Sequence, residues 1–460
     1  MNTWNGLHIL ILGAARQGLA LARFLSRQGA KVTISDQRST EQLKSAQKSL
    51  SDLSIEWILG AHPLSALEKV DLLCLSGGVP LTIPIVLEAQ RRGIPLSNDS
   101  QIFMEAVPCP VVGITGSAGK TTTTTLVGRM AQAGLRSPRR AWIGGNIGLP
   151  LVDYLEQIRS DDLVILELSS FQLELMTRSP QVGAILNITP NHLDRHGTME
   201  AYTAAKARLL DFQQMEDWAI LNREDPGSWA LSQGIRSQLV SFGLKQPEGN
   251  RMGSFLADDC LWISDGTRAM ELMPVEAIQL RGTHNIVNVL AASAIAWAAG
   301  LPLECLQAGV AGFTGVPHRL ERVREWHGAL WYNGSIATAP ERTIADIRAF
   351  ECPLVLLLGG RDKNLPWGDL AELVHQRVKH VVVFGEAADK ILQALGPVRP
   401  GQQLQSIIHC AGLAAAVQAA AGVAESGDVV LLSPGGTSYD EFKDFEERGE
   451  RFREWVNALP

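Results

Sequence analysis

The plainest chemistry in the chain stands in one run, Pro110-Val-Val-Gly-Ile-Thr-Gly-Ser-Ala-Gly-Lys-Thr-Thr-Thr-Thr-Thr125. Val111 to Ile114 read as a short apolar strand, Thr115 to Gly119 as a glycine turn, and Lys120 and Thr121 as the opening of a helix. That order makes a phosphate cradle. Backbone N–H groups point inward, the helix N-terminus adds partial positive charge, Lys120 adds a full charge, and the Thr121 hydroxyl is placed to ligate Mg²⁺. The strict form of the loop has glycine five positions before Gly119, where Ile114 stands, so this is a variant. Its phosphate-facing candidates are Gly116, Ser117, Ala118, Gly119, Lys120, Thr121 and Thr122.

Other side chains downstream could join that chemistry. Asp162 to Glu167 reads as a buried strand with a carboxylate at its end, followed by Ser169 and Ser170. Ligands collect at the carboxyl ends of parallel strands, so Glu167 could reach a Mg²⁺ near Thr121, directly or through water, or it simply ends a strand. His192 lies in a loop dense in imidazoles, Thr189 to Gly197, and is either a metal ligand or a satisfied surface histidine. Lys206 falls in the middle of an alanine-rich helical pattern, Glu200 to Phe212, with Ala201, Ala204, Ala205 and Leu209 on one side. A lysine there reads as solvated, with no chemistry.

The elements that must hold these groups are those of an α/β protein. The chain has 460 residues, which at roughly 150 residues per domain suggests three domains. Hydrophobic content of 46% and charged content of 19% are ordinary for a globular protein. The formal net charge of -7 argues against nucleic acid or an anionic membrane as the main partner. Six cysteines without C-x-x-C spacing read as thiols in a reducing compartment, not as a disulfide frame or a zinc site. Asn2-Thr-Trp-Asn-Gly6 precedes too short an apolar run for a signal peptide, and no stretch suits a membrane span, so the cytoplasm is the expected location.

The first domain opens with a strand, Leu7 to Leu12, a turn from Gly13 to Gly18, and a helix from Leu19 to Gln28. A second strand, Lys31 to Ser35, ends at Asp36. This is the βαβ arrangement that holds a nucleotide ribose, although the glycine spacing is incomplete. Val70 to Leu75 is a third strand, turning at Ser76-Gly-Gly-Val-Pro80; Asp99 and Ser100 cap a short helix, and Pro108 and Pro110 form the linker. In the central domain Gly144 to Gly148 is a tight turn, Val182 to Asn187 a strand, and residues 217 to 280 further strands. Arg281-Gly-Thr-His-Asn-Ile-Val-Asn288 leads to a helix from Val289 to Ala299. The last domain has strands at Leu330–Tyr332, Leu354–Leu358, His380–Phe384 and Val429–Leu432. Polar turns at Asn333–Ser335, Gly359–Lys363 and Ser433–Ser438 mark a ligand edge, and Tyr439 to Asn457 is helical. The expected domain bounds are 1-108, 109-315 and 316-460.

Taken together and in order, the motifs resemble the Mur ligase family over essentially the whole chain. The runs are Thr115-Gly-Ser-Ala-Gly-Lys-Thr-Thr122, Gly144-Gly-Asn-Ile-Gly148, Glu167-Leu-Ser-Ser-Phe-Gln-Leu173, Asn191-His-Leu-Asp-Arg195 and Ala204-Ala-Lys-Ala-Arg208. Gly282-Thr-His-Asn-Ile286, His318-Arg-Leu-Glu321, Leu432-Ser-Pro434, and Phe442 to Arg448-Gly449 complete the set. The Glu167 to Leu173 run points to the D-glutamate-adding branch. The resemblance implies an N-terminal Rossmann-like UDP-binding domain, a central P-loop ATPase-like domain and a C-terminal Rossmann-like domain. It implies an ATP-dependent ligase of peptidoglycan synthesis, serving cell shape and division, that joins D-glutamate to UDP-N-acetylmuramoyl-L-alanine through an acyl phosphate. A monomer is implied, with no nucleic acid or membrane partner.

Residue roles follow from the same resemblance. Lys120, Thr121 and Glu167 would hold ATP phosphates and one Mg²⁺. His192 would serve a second Mg²⁺, together with Lys206 as a carbamate formed with CO₂. Asn146 and Asn285 would contact adenine, and Arg319 the phosphates. Ala15, Arg16, Asp36 and Gly78 would bind the UDP part, and Thr338, Lys363, Ser438 and Phe445 would form the D-glutamate pocket. This chain departs from the family pattern in three places. Gly334 removes an aspartate expected near the ATP ribose, Ile336 replaces a lysine, and Asn191 replaces an aspartate before the histidine. The alternatives are another ligase of the same fold, for another amino acid or for folate, or a P-loop nucleotide-binding protein without ligase chemistry. The Asp-Asn-Pro-Arg run usual in diamino-acid enzymes is absent.

Overall fold

The computed structural model describes residues 4–148, 150–280, 282–363 and 365–460. Asn2, Thr3 and Arg281 lie outside the described residues. Three sheets follow one another along the chain. Residues up to Phe313, carrying the first two sheets, form one compact unit, and Thr314–Pro460 forms a second.

The first sheet is all parallel, in the order Ile55–Leu59, Lys31–Asp36, His8–Leu12, Leu72–Leu75, Leu96–Ser97. Its central strand is apolar and nearly all buried, as a strand covered on both faces must be. Sequence reading missed the two edge strands. Ile55–Leu59 is only half-buried, and Leu96–Ser97 is two residues long, so neither leaves a clear apolar run. The first helix runs from Arg16 to Arg27, starting a turn earlier than the apolar pattern suggests. The helix Asp99–Ala106 is capped by Asn98, not by Asp99 or Ser100: the Gln101 N–H donates to Asn98 Oδ1 at 2.8 Å.

The second sheet has nine strands. Seven are parallel, in the order Met252–Ala257, Gln238–Phe242, Trp218–Asn222, Val182–Ile185, Val111–Thr115, Leu163–Glu167, Ala141–Gly145. Cys260–Asp265 and Ala269–Pro274 add antiparallel strands beside Met252–Ala257. The glycines at 144 and 145 end a strand instead of forming part of a free turn. The helix after Gly282 runs from Thr283 to Ala298, so Asn285 stands in its first turn and not ahead of it.

Side chains tie the first two sheets together. Arg23 pairs with Asp153 at 2.7 Å, Gln17 Nε2 donates to the Gly145 carbonyl at 3.1 Å, and Asn98 Nδ2 donates to the Gln172 carbonyl at 2.7 Å. The third sheet runs Glu321–Trp326, Ala329–Asn333, Val429–Gly435, Leu354–Gly359, Val378–Phe384, Ser406–Cys410, parallel except for the first pair. The polar turns after 333, 359 and 435 leave three adjacent strands on one edge. The last helix is Phe445–Asn457, so Tyr439 to Asp444 precede it as a non-helical segment. Among the described residues, no helix is long and apolar enough to cross a membrane.

Candidate active site

The strand Val111–Thr115 is wholly buried, and the loop after it is built as the spacing requires. Gly119 has φ +81°, and a Cβ there would lie 2.5 Å from Asn288 Oδ1, so both backbone and space demand glycine. The loop is pinned by the exit of the neighbouring strand. The Ser117 N–H donates to the Asn187 carbonyl at 3.0 Å, the Ala118 N–H to Asn187 Oδ1 at 2.8 Å, and Ser117 Oγ to the Thr189 carbonyl at 2.9 Å. Lys120 Nζ curls back to the Gly116 and Ser117 carbonyls at 2.7 and 3.3 Å. Thr121 and Thr122 lie half-buried in the first turn of the helix Lys120–Gly134.

Glu167 stands in register between Ile114 and Gly145 at the carboxyl end of the sheet, and only 2% of it is exposed. Its two oxygens accept from Thr121 Oγ1 at 2.8 Å and Asn146 Nδ2 at 2.9 Å. Asn146, expected at adenine, is thus a hydrogen-bond donor to this carboxylate. Among the described residues no three His, Cys, Asp or Glu side chains gather into a metal cage. A carboxylate and a hydroxyl beside a phosphate loop nevertheless suit Mg²⁺, which binds through one or two protein oxygens and fills its octahedron with phosphate oxygens and water.

Lys206 overturns the solvated reading. It is 1% exposed, on the inner face of the helix Met199–Asp211 with Tyr202, Ala205, Leu209 and Leu210. Ala201 and Ala204 face outward. Alanine suits either face, so the alanine spacing misplaced the stripe; the large residues Tyr202, Leu209 and Leu210 were the signal. Lys206 Nζ donates to Thr115 Oγ1 at 3.3 Å, inside the phosphate loop, and lies 4.7 Å from the Tyr202 ring centre. Burial, with Lys120 nearby, pushes its pKa down to about 7.

The two histidines of the next loop differ. His192 is exposed, with φ +53°, and its ring meets Phe171 edge-on at 5.0 Å. His196 is half-buried with its ring covered, Nδ1 lying 2.9 Å from Glu174 Oε1 and Nε2 3.0 Å from Ser170 Oγ. Arg195 is a residue sequence reasoning left without a role. Its guanidinium lies 4.0 Å over the Phe171 ring and donates to the carbonyls of Gly77 and Val79, at 3.1 and 2.9 Å. The turn it grips carries Gly78, which faces open space.

In the first sheet Asp36 is saturated. It accepts from the Ala14 N–H at 2.7 Å and from the Arg38 N–H and guanidinium at 2.8 to 3.0 Å. Burial pushes its pKa up, but the hydrogen bonds from Arg38 and Ala14 outweigh it and bring the carboxyl to about 2. Asp36 thus shapes the loop on which Ala15 and Arg16 are exposed.

In the C-terminal unit the three polar turns meet. The Arg361 and Thr437 backbones exchange hydrogen bonds at 2.8 and 2.9 Å, placing Lys363 and Ser438 on neighbouring turns. Ser438 is 2% exposed; Lys363 is exposed, its pKa lowered by partial burial and by the charges of Arg342 and Arg448. Arg448 is the organiser that the sequence did not reveal. Fully buried, it donates to Ser335 Oγ at 3.0 Å, the Ser335 carbonyl at 2.8 Å and the Gly436 carbonyl at 3.1 Å. Burial lowers its pKa to about 10. Phe445 accepts through its carbonyl from Ser335 Oγ, and Thr338 is half-buried just beyond. Arg319 is exposed beside buried His318, whose ring occupies space left by Gly449: a Cβ there would lie 2.0 Å from His318 Nδ1. Asn285, in the other unit, accepts from Asn288 Nδ2 at 3.0 Å.

Comparison with known proteins agrees with this architecture. Family models described as Mur ligase MurD-like N-terminal domain, Mur ligase middle domain, and Mur ligase glutamate ligase domain match residues 7–98, 114–296 and 318–436. A UDP-N-acetylmuramoylalanine–D-glutamate ligase from Symbiobacterium thermophilum is 40% identical over 98% of this chain and 97% of its own. One from Koribacter versatilis is 39% identical over 99% and 98%. The crystal structure of UDP-N-acetylmuramate-alanine ligase from Thermotoga maritima superposes with a TM-score of 0.57 at 20% identity, over 98% of this chain and 99% of that one, a likeness of fold. With full-length identity of this order and a matching model for each sheet, the chain belongs to the Mur ligase family.

Proposed function

We propose that this chain is an ATP-dependent ligase that joins D-glutamate to UDP-N-acetylmuramoyl-L-alanine in peptidoglycan precursor synthesis, working in the cytoplasm as a monomer. The near-full-length relatives named for that activity support the choice of substrates. The observation that carries the chemistry is the placement of Lys206 Nζ on Thr115, at the root of the phosphate loop.

A carboxylate is a poor electrophile, so one of its oxygens must first be phosphorylated, and it leaves as phosphate once the amine has attacked. Lys120 and the amides of the loop would exchange their present partners for phosphate oxygens of ATP. Thr121 and Glu167 would hold Mg²⁺, with Asn146 keeping the carboxylate oriented. When bound, the ion neutralises charge on the transferring phosphoryl group. His192 is exposed and could turn toward a second ion. The Lys206 amine, near neutral and shielded from water, would add to CO₂, forming a carbamate and releasing one proton; the new carboxylate would serve that second ion.

With the phosphates so held, the L-alanyl carboxylate oxygen attacks the γ-phosphorus, giving an acyl phosphate and ADP. The D-glutamate amine then attacks the acyl carbon, inorganic phosphate leaves, and the nitrogen gives up a proton. Ala15, Arg16 and Gly78 are the groups offered to the UDP part, and Thr338, Lys363, Ser438 and Phe445 to D-glutamate. The lysine ammonium is the natural partner of a substrate carboxylate. The test is phosphate release with ATP, Mg²⁺ and UDP-N-acetylmuramoyl-L-alanine, offering D-glutamate, L-glutamate and other amino acids in turn. Turnover with D-glutamate is expected. Turnover with every amino acid but that one, or with none, would overturn the reading.

A further inference from the structure

A cluster of arginines takes no part in the assignments above. Arg136, Arg139 and Arg140 stand in the loop between the helix Lys120–Gly134 and the strand Ala141–Gly145, and Arg159 stands just ahead of the strand Leu163–Glu167. All four are exposed. Arg139, Arg140 and Arg159, with Ser137, Pro138 and Gln157, line a cavity of about 330 Å³, and no acidic side chain is part of that lining. This is a local excess of positive charge on a chain whose formal net charge is -7.

One buried carboxylate builds the cluster. Asp162 is 1% exposed. Its Oδ1 accepts from the Arg140 N–H at 2.7 Å, and its Oδ2 from the Arg159 N–H at 3.0 Å and Trp142 Nε1 at 2.8 Å. The acid therefore holds main chain and an indole, draws the two arginine-bearing segments together, and leaves the guanidinium groups outside. Arg139 Nε donates to the Asp161 carbonyl at 2.7 Å, and Arg159 pairs with the Asp161 carboxylate at 3.1 Å. That pair stands in solvent and is weak. Among the described residues the guanidinium groups of Arg136 and Arg140 have no partner. Like charges gathered on a fixed rim repel one another, and an anion between them removes the repulsion.

The cavity lies apart from the phosphate loop. Arg140 and Asp162 precede the amino ends of their strands, whereas Gly145 and Glu167 stand at the carboxyl ends. A strand of five residues separates the two edges by roughly 16 Å. Three guanidinium forks around one space suit an anion of two or more charges with its oxygens spread over two centres, since each fork takes a pair of oxygens. A diphosphate group has that form; a lone carboxylate does not. The net negative charge of the chain opposes approach to an anionic membrane, and a concave site favours a small soluble molecule.

We propose that the cavity between Arg139, Arg140 and Arg159 binds the diphosphate group of a soluble phosphorylated molecule, at a site separate from the one offered to ATP.

Inorganic diphosphate is the probe. It is titrated calorimetrically, at one low salt concentration, into the full chain, Lys120→Ala, Arg140→Gln and Arg140→Gln/Arg159→Gln. Lys120→Ala strips the phosphate loop of its charge and leaves the cavity intact. The native chain and Lys120→Ala should share a binding event that is about tenfold weaker in Arg140→Gln, the size of one lost hydrogen bond to a charged group, and absent in the double variant. Both arginine variants should keep the native thermal midpoint, because Asp162 keeps its main-chain partners. An isotherm unchanged in the double variant, or binding that disappears wholly in Lys120→Ala, would overturn the proposal. Sedimentation with phosphatidylglycerol vesicles is the second arm, and the native chain should stay in solution. Sedimentation that depends on Arg140 and Arg159 would assign the cavity to a lipid surface and overturn the soluble ligand.

Discussion

The phosphate loop and the strand ends of the C-terminal sheet both present polar groups at the carboxyl edge of parallel strands. They are assembled on different scales. In the first, the strand, the turn, Lys120 and Thr121 are consecutive, and neighbouring strands add Glu167 and Asn187. In the second, the central contact joins Arg448 to Ser335 across 113 residues, and the carboxylate over Gly334, that of Asp346, comes from the helix Pro340–Arg348. A site made of consecutive residues is shaped by backbone conformation. A site made of remote ones is shaped by packing.

If that contrast is right, the largest effect should come from the first region without loss of fold. Lys206→Ala removes one buried amine that costs stability when charged, so turnover should fall by about a thousandfold while the thermal midpoint holds or rises. Short-chain carboxylates should restore part of the rate; full activity in the untreated variant would refute the carbamate. In the second region function and fold should fail together. Arg448→Ala strips three hydrogen bonds from a buried cluster and should cost about 3 kcal/mol or more in urea unfolding, with the D-glutamate KM rising alongside. A loss confined to kcat would contradict its role as organiser.

Smaller changes sharpen the comparison. Gly449→Ala drives a methyl into the His318 ring and should cost about 1–3 kcal/mol. Because Arg319 adjoins His318, the KM for ATP should rise more than the KM for D-glutamate; equal rises would detach Arg319 from the nucleotide. The smallest effect concerns pH. Burial raises the Asp346 pKa in the fold to about 6, so the unfolded chain deprotonates first and the native state loses stability as pH rises from about 4 to 6. Asp346→Asn should match the native midpoint near pH 4 and exceed it by a degree or more at pH 7.5, as expected of a shift of about 1 kcal/mol or less. Identical differences at both pH values would show that the carboxylate does not titrate as described.

The same contrast explains how far the sequence could be read. The variant loop, the carboxylate at Glu167 and the three polar turns were legible because each marks the end of a strand with a change in residue type. Lys206 was misread from residue pattern because alanines fit either helical face; its importance came through the family resemblance, and its burial through the structure. Arg195 stood in a quoted motif without a role, because its partners are main-chain carbonyls, which no residue type reveals. The surroundings of Gly334 were not legible, because the Leu432 carbonyl and the Asp346 carboxylate come close to it only in the fold.

The grip of Arg195 has a mechanical consequence. Its two acceptors in the facing turn are uncharged carbonyls, so those bonds depend on alignment, while the guanidinium also faces the Glu174 carboxylate at 4.0 Å, a contact that salt weakens. The strength of such a clamp is set by alignment. The turn around Gly78 and the loop bearing His192 are thereby yoked: a spectroscopic label on either one should report when a ligand reaches the other.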